Sequence, residues 1–139
     1  MLSQQLATLT VRAPRSGLCE ITREVEAWLG GQPIRDGLLT LFCRHSSASL
    51  LIQENAAPAA RRDLERYFAA IAPESGAYEH CDEGPDDMPA HLRAALTQPQ
   101  LAIPVEGGRM RLGTWQGIYL FEHRRDPPER SIALHLIGE

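Results

Sequence analysis

Residues 80–91 are the stretch around which the chain is organised, and they read His80-Cys81-Asp82-Glu83-Gly84-Pro85-Asp86-Asp87-Met88-Pro89-Ala90-His91. They contain two histidines, four carboxylates and one thiol. Imidazole nitrogens and carboxylate oxygens are the usual ligands of zinc and of several other divalent ions. Because the spacing matches no highly specific zinc motif, the stretch indicates either a metal or catalytic site or an acidic, capped loop with a surface histidine.

Local signals in this stretch predict a turn followed by a helix. The Gly-Pro pair at 84–85 favours a turn, so the two halves of the stretch can fold back on each other. Asp86 or Asp87 is a candidate helix N-cap, and Pro89 is tolerated in the first turn, where its missing amide hydrogen is not needed. Asp87 and His91 would then lie about one helical turn apart on the same side of the helix.

The stretch also separates two parts of the chain that differ in predicted structure. Apolar spacing and end signals predict helices over residues 22–29, with Thr22 as the cap, over 58–71 and over about 87–96. Strands are predicted over residues 2–13, 18–21, 37–45, 50–52, 101–105, 110–114, 117–124 and 131–137. Because helices and strands are mixed without alternating one to one, the sequence predicts a single α+β domain over residues 1–139. Its sheet would be mixed or antiparallel, with about three helices.

The composition is typical of a globular protein large enough to bury its own core. Hydrophobic residues make up 43% and charged residues 23% of the 139 positions. No apolar run approaches the ~18 residues of a membrane span and no signal peptide opens the chain, so we expect a cytoplasmic protein without a membrane partner. Cys19, Cys43 and Cys81 are odd in number and scattered, which predicts no disulfide framework.

The charged residues exclude several classes of function. A net charge of −4 argues against a nucleic-acid partner held by bulk electrostatics. All 14 basic residues are arginine, which excludes a Schiff-base lysine and a P-loop lysine. A bound phosphate would have to contact arginines, backbone amides or a metal. Genome base composition is an equally good explanation of an all-arginine inventory.

Polar residues at strand ends are further candidates for a site. His45 ends a buried strand, where it would be either a hydrogen-bonded core residue or a ligand. Ser47 and Ser49 follow it without the G-x-S-x-G elbow of a serine nucleophile. His123 and Arg124 end another apolar strand, a position that commonly lines a site but also marks where a strand meets water.

Two residues near the C-terminal strands fit a binding role or a structural one. Arg109 shares a predicted strand face with Arg111 and would either clamp an anion or lie in solvent. Trp115 would form an aromatic wall or pack in the core. His135, between Leu134 and Leu136, is predicted to be structural or exposed.

Several linked motifs together closely resemble the YjbQ family, whose members have been described as secondary thiamine-phosphate synthases. The motifs are Arg-His-Ser-Ser-Ala-Ser-Leu at 44–50, Gln-Glu-Asn at 53–55, Arg-Asp-Leu-Glu at 62–65, the segment 79–91, Gly-Thr-Trp-Gln-Gly-Ile-Tyr at 113–119 and Glu-His-Arg at 122–124. The resemblance covers essentially the whole chain. It implies a single α+β domain, usually assembled as a homotrimer, with a histidine-lined metal-binding pocket.

The resemblance also implies roles for individual residues. The implied metal ligands are His45, His80 and His91. The implied catalytic residues are Asp87, Glu83, His123 and Arg124, and the implied substrate contacts are Ser47, Ser49, Asn55, Arg109 and Trp115. The implied cofactor is a divalent metal ion, zinc or, with a diphosphate substrate, magnesium. Cys81 and His135 fall outside the family pattern, and Ser46 replaces the usual threonine while keeping its hydroxyl.

Three functions remain open from the sequence. The first is a weak thiamine-phosphate synthase activity, in which a thiazole phosphate nitrogen displaces pyrophosphate from a pyrimidine methyl diphosphate and cations stabilise the leaving group. The second is metal-dependent hydrolysis of a phosphorylated small molecule, with Asp87 or Glu83 as the base. The third is a non-catalytic, trimeric protein that binds a metal or a metabolite.

Overall fold

Eight strands and three helices are present in the computed structural model, which describes residues 1–139. In chain order they are β1 (Ser3–Val11), β2 (Gly17–Glu20), α1 (Thr22–Gly30), β3 (Gly37–Cys43), β4 (Ala48–Glu54), α2 (Pro58–Ile71), α3 (Asp87–Leu96), β5 (Gln100–Glu106), β6 (Arg109–Met110), β7 (Gln116–Glu122) and β8 (Arg130–Gly138). The helices lie where their apolar spacing predicts them. None is long and apolar enough to cross a membrane.

The strands form two antiparallel sheets. One sheet has five strands in the order β1-β8-β3-β5-β6, and the other has three in the order β2-β7-β4. Every strand pair is antiparallel. The predicted α+β domain is therefore confirmed, and its strands are divided between two sheets.

The main core lies between the two sheets and is closed by α1. It contains 17 buried residues in one cluster. Side chains alternate across a strand, and β8 accordingly buries Ile132, Leu134 and Leu136 while the residues between them stay half-exposed. Full burial of each such side chain is worth about 1.5–3 kcal/mol. The alternating pattern of the sequence therefore fixes which face of β8 points inward.

The outer faces of the two sheets differ. In the three-stranded sheet, Tyr119 and Phe121 point away from the core and pack against Leu64 and Phe68 of α2. Residues 117–122 of β7 are consequently buried on both faces. No helix covers the outer face of the five-stranded sheet, and Leu6 there is 71% exposed.

Neither predicted cap residue makes a capping hydrogen bond, because each side chain is bonded to a residue outside its helix. Thr22 is the first residue of α1, and its hydroxyl accepts the Ile118 amide hydrogen at 2.8 Å while donating to Glu20 at 2.8 Å. Asp86 occupies the N-cap position of α3 but makes no capping bond. Its carboxylate accepts hydrogen bonds from Arg124 and from the Arg125 amide.

Two further expectations concern the cysteines and the sixth strand. Cys19, Cys43 and Cys81 are all free, which confirms the predicted lack of disulfides. The strand predicted over 110–114 is much shorter and comprises only Arg109–Met110. The chain then turns, and the Gln116 side-chain oxygen accepts the Gly113 amide hydrogen at 2.7 Å.

Candidate metal centre

Four side chains of metal-ligand type converge where the chain enters α3. They come from His80, Glu83, Asp87 and His91, and one ligand atom of each lies within 4.8 Å of the others. Asp87 and His91 are one helical turn apart, as predicted, with Asp87 Oδ2 at 3.1 Å from His91 Nε2. His80 Nε2 lies 2.7 Å from the same oxygen. We call these four residues the metal cluster.

The turn that returns His80 to the helix depends on glycine. Gly84 has φ of 104°, a conformation that glycine adopts far more readily than residues with a Cβ. This turn also brings Glu83 Oε2 to 3.6 Å from His80 Nε2. The predicted folding of the two halves onto each other is therefore the geometry that assembles the metal cluster.

Asp87 is the one buried residue of the metal cluster, whose other side chains are open to solvent. Its side chain is 2% exposed, whereas the side chains of His80 and Glu83 are 44% and 63% exposed. Its two oxygens have different partners: Oδ2 faces the histidines, and Oδ1 accepts a 2.6 Å hydrogen bond from Arg124 Nη1. One carboxylate thus connects the helix, the turn and the end of β7.

These contacts move two pKa values in opposite directions. The hydrogen bond to Asp87, aided by the charges of Asp82 and Glu83, raises the pKa of His80 although desolvation opposes it. Burial alone would raise the pKa of Asp87. The hydrogen bond from His80, the charge of His91 and the charge of Arg124 outweigh that effect, so the pKa of Asp87 lies below its usual range. Asp87 is therefore ionised at neutral pH and is a weak proton acceptor.

His91 is oriented by a backbone carbonyl. Its Nδ1 lies 2.9 Å from the oxygen of Ser46. Because a carbonyl oxygen only accepts, Nδ1 carries the hydrogen, and in the neutral imidazole Nε2 presents its lone pair to the cluster. This is the usual arrangement of a metal-binding histidine. Two imidazoles and two carboxylates are also a suitable donor set for zinc, so the residues fit a divalent ion.

His45, expected as the third histidine ligand, is not part of the metal cluster. Its Nε2 accepts a hydrogen bond from the Ser131 amide at 2.8 Å, which ties the segment after β3 to β8. Desolvation and the charge of Arg130 lower the pKa of His45, so it stays neutral. In this structure the carboxylates of Glu83 and Asp87 complete the ligand group that His45 was expected to complete.

His123 and Ser49 form a pair that is buried in this structure. Each is 1% exposed, and Ser49 Oγ lies 2.9 Å from His123 Nε2. Thr97 Oγ1 donates to Ser49 Oγ at 2.6 Å, and the His123 ring packs on Phe121 with centroids 4.3 Å apart. Burial, together with the charge of Arg93, lowers the pKa of His123 to about 3. The catalytic role expected for His123 and the substrate contact expected for Ser49 stay predictions, and the buried His123 Nδ1 has no hydrogen-bond partner.

The other expected substrate residues are separated by the length of two paired strands. Ala48 pairs with Glu122 at one end of the β4–β7 pair, and Glu54 pairs with Gln116 at the other. Ser47 and Arg124 border the first end, which is the end of the metal cluster. Six residue steps at the rise of a strand place the second end roughly 20 Å away.

A cavity of about 610 Å³ lies at that second end. Asn55 and Arg109 line it together with Thr22, Glu26 and Gln116. Trp115 lies beside these residues in sequence, and its side chain is 64% exposed rather than packed in the core. The structure thus brings Asn55 and Arg109 to one cavity but does not bring them to the metal cluster of the same chain.

A buried ion pair near the metal cluster was missed from the sequence. Arg130 and Glu122 are 2% and 1% exposed and bind each other through two hydrogen bonds. The sequence contained a signal for this pair, because Arg130 alternates with the outward-facing residues of β8 and so lies on the same face as the buried Ile132 and Leu134. A charged residue at such a position requires an opposite charge nearby, and Glu122 ends the adjacent apolar strand.

The fold and the cluster together define the class of protein: a single-domain α+β protein of two antiparallel sheets with a candidate histidine–carboxylate metal centre. Residues 7–139 match the model of the YjbQ family, described as UPF0047 protein YjbQ-like. The chain therefore belongs to this family, as its motifs indicate.

Relatives in bacteria and archaea resemble the chain over nearly its full length. It is 44% identical over 137 residues to a UPF0047 protein of Synechocystis, covering 98% of this chain and 93% of that protein. It is 44% identical over 133 residues to the UPF0047 protein YjbQ of Salmonella typhimurium, covering 95% and 96%. The resemblance therefore extends over nearly the whole length of each protein.

Solved structures share the fold. A YbjQ-like protein of unknown function from Sulfolobus solfataricus superposes with a TM-score of 0.91 at 25% identity, covering 100% of both chains. A conserved hypothetical protein from Thermus thermophilus superposes with a TM-score of 0.83 at 37% identity, covering 94% of this chain and 98% of that one. The two-sheet architecture is therefore common to distant relatives.

Proposed function

We propose that this protein is a divalent-metal-dependent enzyme acting on phosphorylated small molecules. The observation that carries this proposal is the convergence of His80, Glu83, Asp87 and His91. These side chains would hold the ion, zinc or magnesium, at a solvent-open edge of the molecule. A bound divalent ion supplies positive charge that stabilises a phosphate or a leaving diphosphate.

The charges around the cluster favour this role of the ion. Arg124 and Arg125, the nearest arginines after β7, are already engaged: Arg124 with Asp86 and Asp87, and Arg125 with Glu74. The cluster therefore has neither of these two arginines free to bind a phosphate. Without an ion, its carboxylates would repel a phosphate, so phosphate binding at this end should depend on added metal.

The specific reaction that we propose is the displacement of pyrophosphate from a pyrimidine methyl diphosphate by a thiazole phosphate. Family membership supports this reaction, and stabilising a diphosphate leaving group is chemistry that a metal-binding cluster suits. Such a displacement forms a bond from the thiazole nitrogen to the methylene carbon while the carbon–oxygen bond to the diphosphate breaks. No protein base is needed for that step.

A second candidate is hydrolysis of a phosphorylated small molecule. The exposure of Glu83 favours it, because water reaches this carboxylate freely and the side chain is 63% exposed. Asp87 would be a poor base for that water, since the pKa of Asp87 lies below its usual range. Arg124 would hold Asp87 rather than contact substrate.

One experiment separates these functions. The protein is freed of metal with a chelator and reloaded with zinc or magnesium, and formation of thiamine phosphate and release of phosphate are then measured. Product formation by wild type but not by His91→Ala supports the transferase, and phosphate release alone supports the hydrolase. Metal binding without turnover of either substrate would leave the non-catalytic, metal-binding function as the answer.

We also propose that the protein assembles as a homotrimer, with a second copy of the chain on the bare face of the five-stranded sheet. The outward residues of its four long strands include a single charged one, Glu106 at the end of β5; the others are Gln4, Leu6, Thr8, Thr10, Ser131, Ala133, His135, Ile137, Leu38, Thr40, Phe42, Gln100, Ala102 and Pro104. We call this surface the uncharged face. Three copies can surround a threefold axis with this face directed inward, so that different parts of the face meet without like-charge repulsion.

The uncharged face can be tested by light scattering. Wild type should have three times the 15.4 kDa mass of one chain, and Phe42→Asp should reduce it, because Phe42 is 43% exposed on this face. Tyr67→Asp is the control, since Tyr67 is 61% exposed on α2, on the opposite side of the molecule. Monomeric wild type, or equal dissociation of both variants, would contradict this proposal.

A further inference from the structure

The buried pair Glu122–Arg130 is a feature that the proposed chemistry does not use. Arg130 Nε donates to Glu122 Oε1 at 2.8 Å, and Arg130 Nη2 donates to Glu122 Oε2 at 2.5 Å. Their side chains are 0% and 3% exposed, for Glu122 and Arg130 respectively. Neither residue belongs to the metal cluster, so any effect on a bound ion must pass through other groups.

Arg130 is connected to His91 through two neighbouring backbone carbonyls. Arg130 Nη2 also donates to the carbonyl oxygen of Ser47 at 3.0 Å. The neighbouring carbonyl, that of Ser46, accepts the His91 Nδ1 hydrogen at 2.9 Å. Arg130 thereby fixes the peptide next to the one that orients the His91 ring.

Glu122 is connected to Asp87 through Arg124. Glu122 Oε2 accepts the backbone amide hydrogen of Arg124 at 3.1 Å. The Arg124 guanidinium in turn binds Asp87 Oδ1 at 2.6 Å and Asp86 Oδ2 at 3.1 Å. Glu122 thereby fixes the point from which Arg124 reaches the buried carboxylate of the cluster.

We infer that Glu122 and Arg130 are positioning residues of the metal centre. Arg130 would fix the orientation of His91 through the backbone of residues 46–47, and Glu122 would fix the position of Asp87 through Arg124. This inference rests on the proposed metal-dependent function. A contribution to fold stability alone is a poor explanation of the pair, because buried ion pairs can often be replaced by apolar side chains of similar volume without loss of stability. Glu122 and Arg130 instead contact the groups that orient two ligands, His91 and Asp87, and so restrict the geometry of both.

The test uses the double variant Glu122→Leu/Arg130→Met, which removes both charges together and leaves neither one buried and unpaired. Unfolding in urea checks that the variant folds. Zinc affinity is measured by competition with a chelator, and nitrogen-15 chemical shifts report the hydrogen position on His91 in the metal-free protein. We expect cooperative unfolding, zinc affinity reduced by about 10–100-fold, and a smaller fraction of His91 with hydrogen on Nδ1.

A control is the more exposed pair Arg15–Glu65, which links the segment before β2 to α2 with a nitrogen–oxygen distance of 3.3 Å and contacts no ligand of the cluster. Arg15→Met/Glu65→Leu should leave zinc affinity and the His91 shifts unchanged. Should Glu122→Leu/Arg130→Met fail to fold, Glu122→Asp serves in its place. It keeps the charge but shortens the reach to Arg124, and it should weaken zinc binding with the same change at His91.

The outcomes distinguish this inference from the proposed function. If wild type binds no divalent ion, the proposed metal-dependent function fails. If wild type binds zinc and a folded Glu122 variant binds it equally well with unchanged His91 shifts, the positioning role is overturned while the metal centre stands. Equal loss of affinity in the Arg15–Glu65 control would also overturn it, because the effect would then be one of general stability.

Discussion

The two ends of the β4–β7 strand pair carry charged residues in opposite states. At the metal end they are bound to one another: Asp87 contacts His80, His91 and Arg124. At the cavity end, Arg109 and Glu26 form no hydrogen bond or ion pair through their side chains. Preorganised ligands bind an ion at low reorganisation cost, whereas free side chains are available to a flexible organic ligand. The two ends thus suit different partners.

Their separation is the second difference. Roughly 20 Å of paired strand lies between them, which is more than a small phosphorylated molecule spans. Substitutions at one end should therefore leave binding at the other end intact, because distant sites without shared partners act almost additively.

The largest effect is expected from removal of a histidine of the cluster. His91→Ala should lose bound metal, because it removes a ligand whose ring is already oriented by Ser46. Elemental analysis of purified protein measures the metal content. His135→Ala is the control, since His135 lies on β8 and contacts Gln4. Equal metal content in both variants would show that His91 is structural.

Asp87→Asn should weaken metal binding by about 10–100-fold, because the substitution removes the charge that faces both histidines. The pKa of Asp87 below its usual range favours this role over that of a general base. The decisive measurement pairs zinc affinity with turnover. Intact metal affinity with turnover lower by roughly 100-fold would instead identify Asp87 as the proton acceptor. If Asp87 only caps the helix, Asp87→Asn should change neither zinc affinity nor turnover, because asparagine also caps well.

His123→Gln should remove part of the acid sensitivity of the fold. His123 stays neutral in the folded chain, where burial lowers its pKa to about 3, but it takes up a proton near its ordinary pKa of ~6.5 when unfolded. Its contribution is therefore fully favourable above that ordinary pKa and is lost as the pH falls below it, by up to ~1.4 kcal/mol per pH unit.

Urea unfolding of the metal-free protein at several pH values between neutrality and mild acid measures this slope. Wild type should lose stability toward acid more steeply than His123→Gln, and His135→Gln should keep the wild-type slope. Parallel stability curves for all three proteins would mean that His123 is protonated in the folded state as well.

Arg109→Ala tests the cavity end and should leave the metal end unchanged. Zinc affinity should stay within about twofold of wild type, because Arg109 has no partner in common with the metal cluster. If the cavity holds the substrate, KM should rise by up to about tenfold with little change in kcat. Loss of zinc from Arg109→Ala would show that the two ends meet in the assembled protein.

The smallest effect concerns the cysteines. All three are free, so a reducing agent should not change the melting temperature of the metal-free protein. Calorimetry with and without the reductant measures this. A clear decrease in melting temperature would reveal a disulfide formed between copies of the chain.

Much of the fold could be predicted because it depends on local patterns. The helix over 58–71 has the predicted bounds, since Pro58 suits a first turn and the apolar positions follow helical spacing. The Asp87–His91 pair was predicted for the same reason, because four residues make one helical turn. The capping bonds predicted for Thr22 and Asp86 do not form, because each side chain is hydrogen-bonded to a residue distant in sequence.

The sequence by itself determined the type and order of the elements, the inward face of β8 and the turn–helix geometry that joins His80 to His91. These depend on backbone preferences and apolar spacing over a few residues. Only the tertiary structure decided that His45 and His123 lie outside the metal cluster and that Asn55 and Arg109 share a remote cavity. Those outcomes depend on which strands pair across long stretches of chain, and one sequence carries no local signal for such pairing.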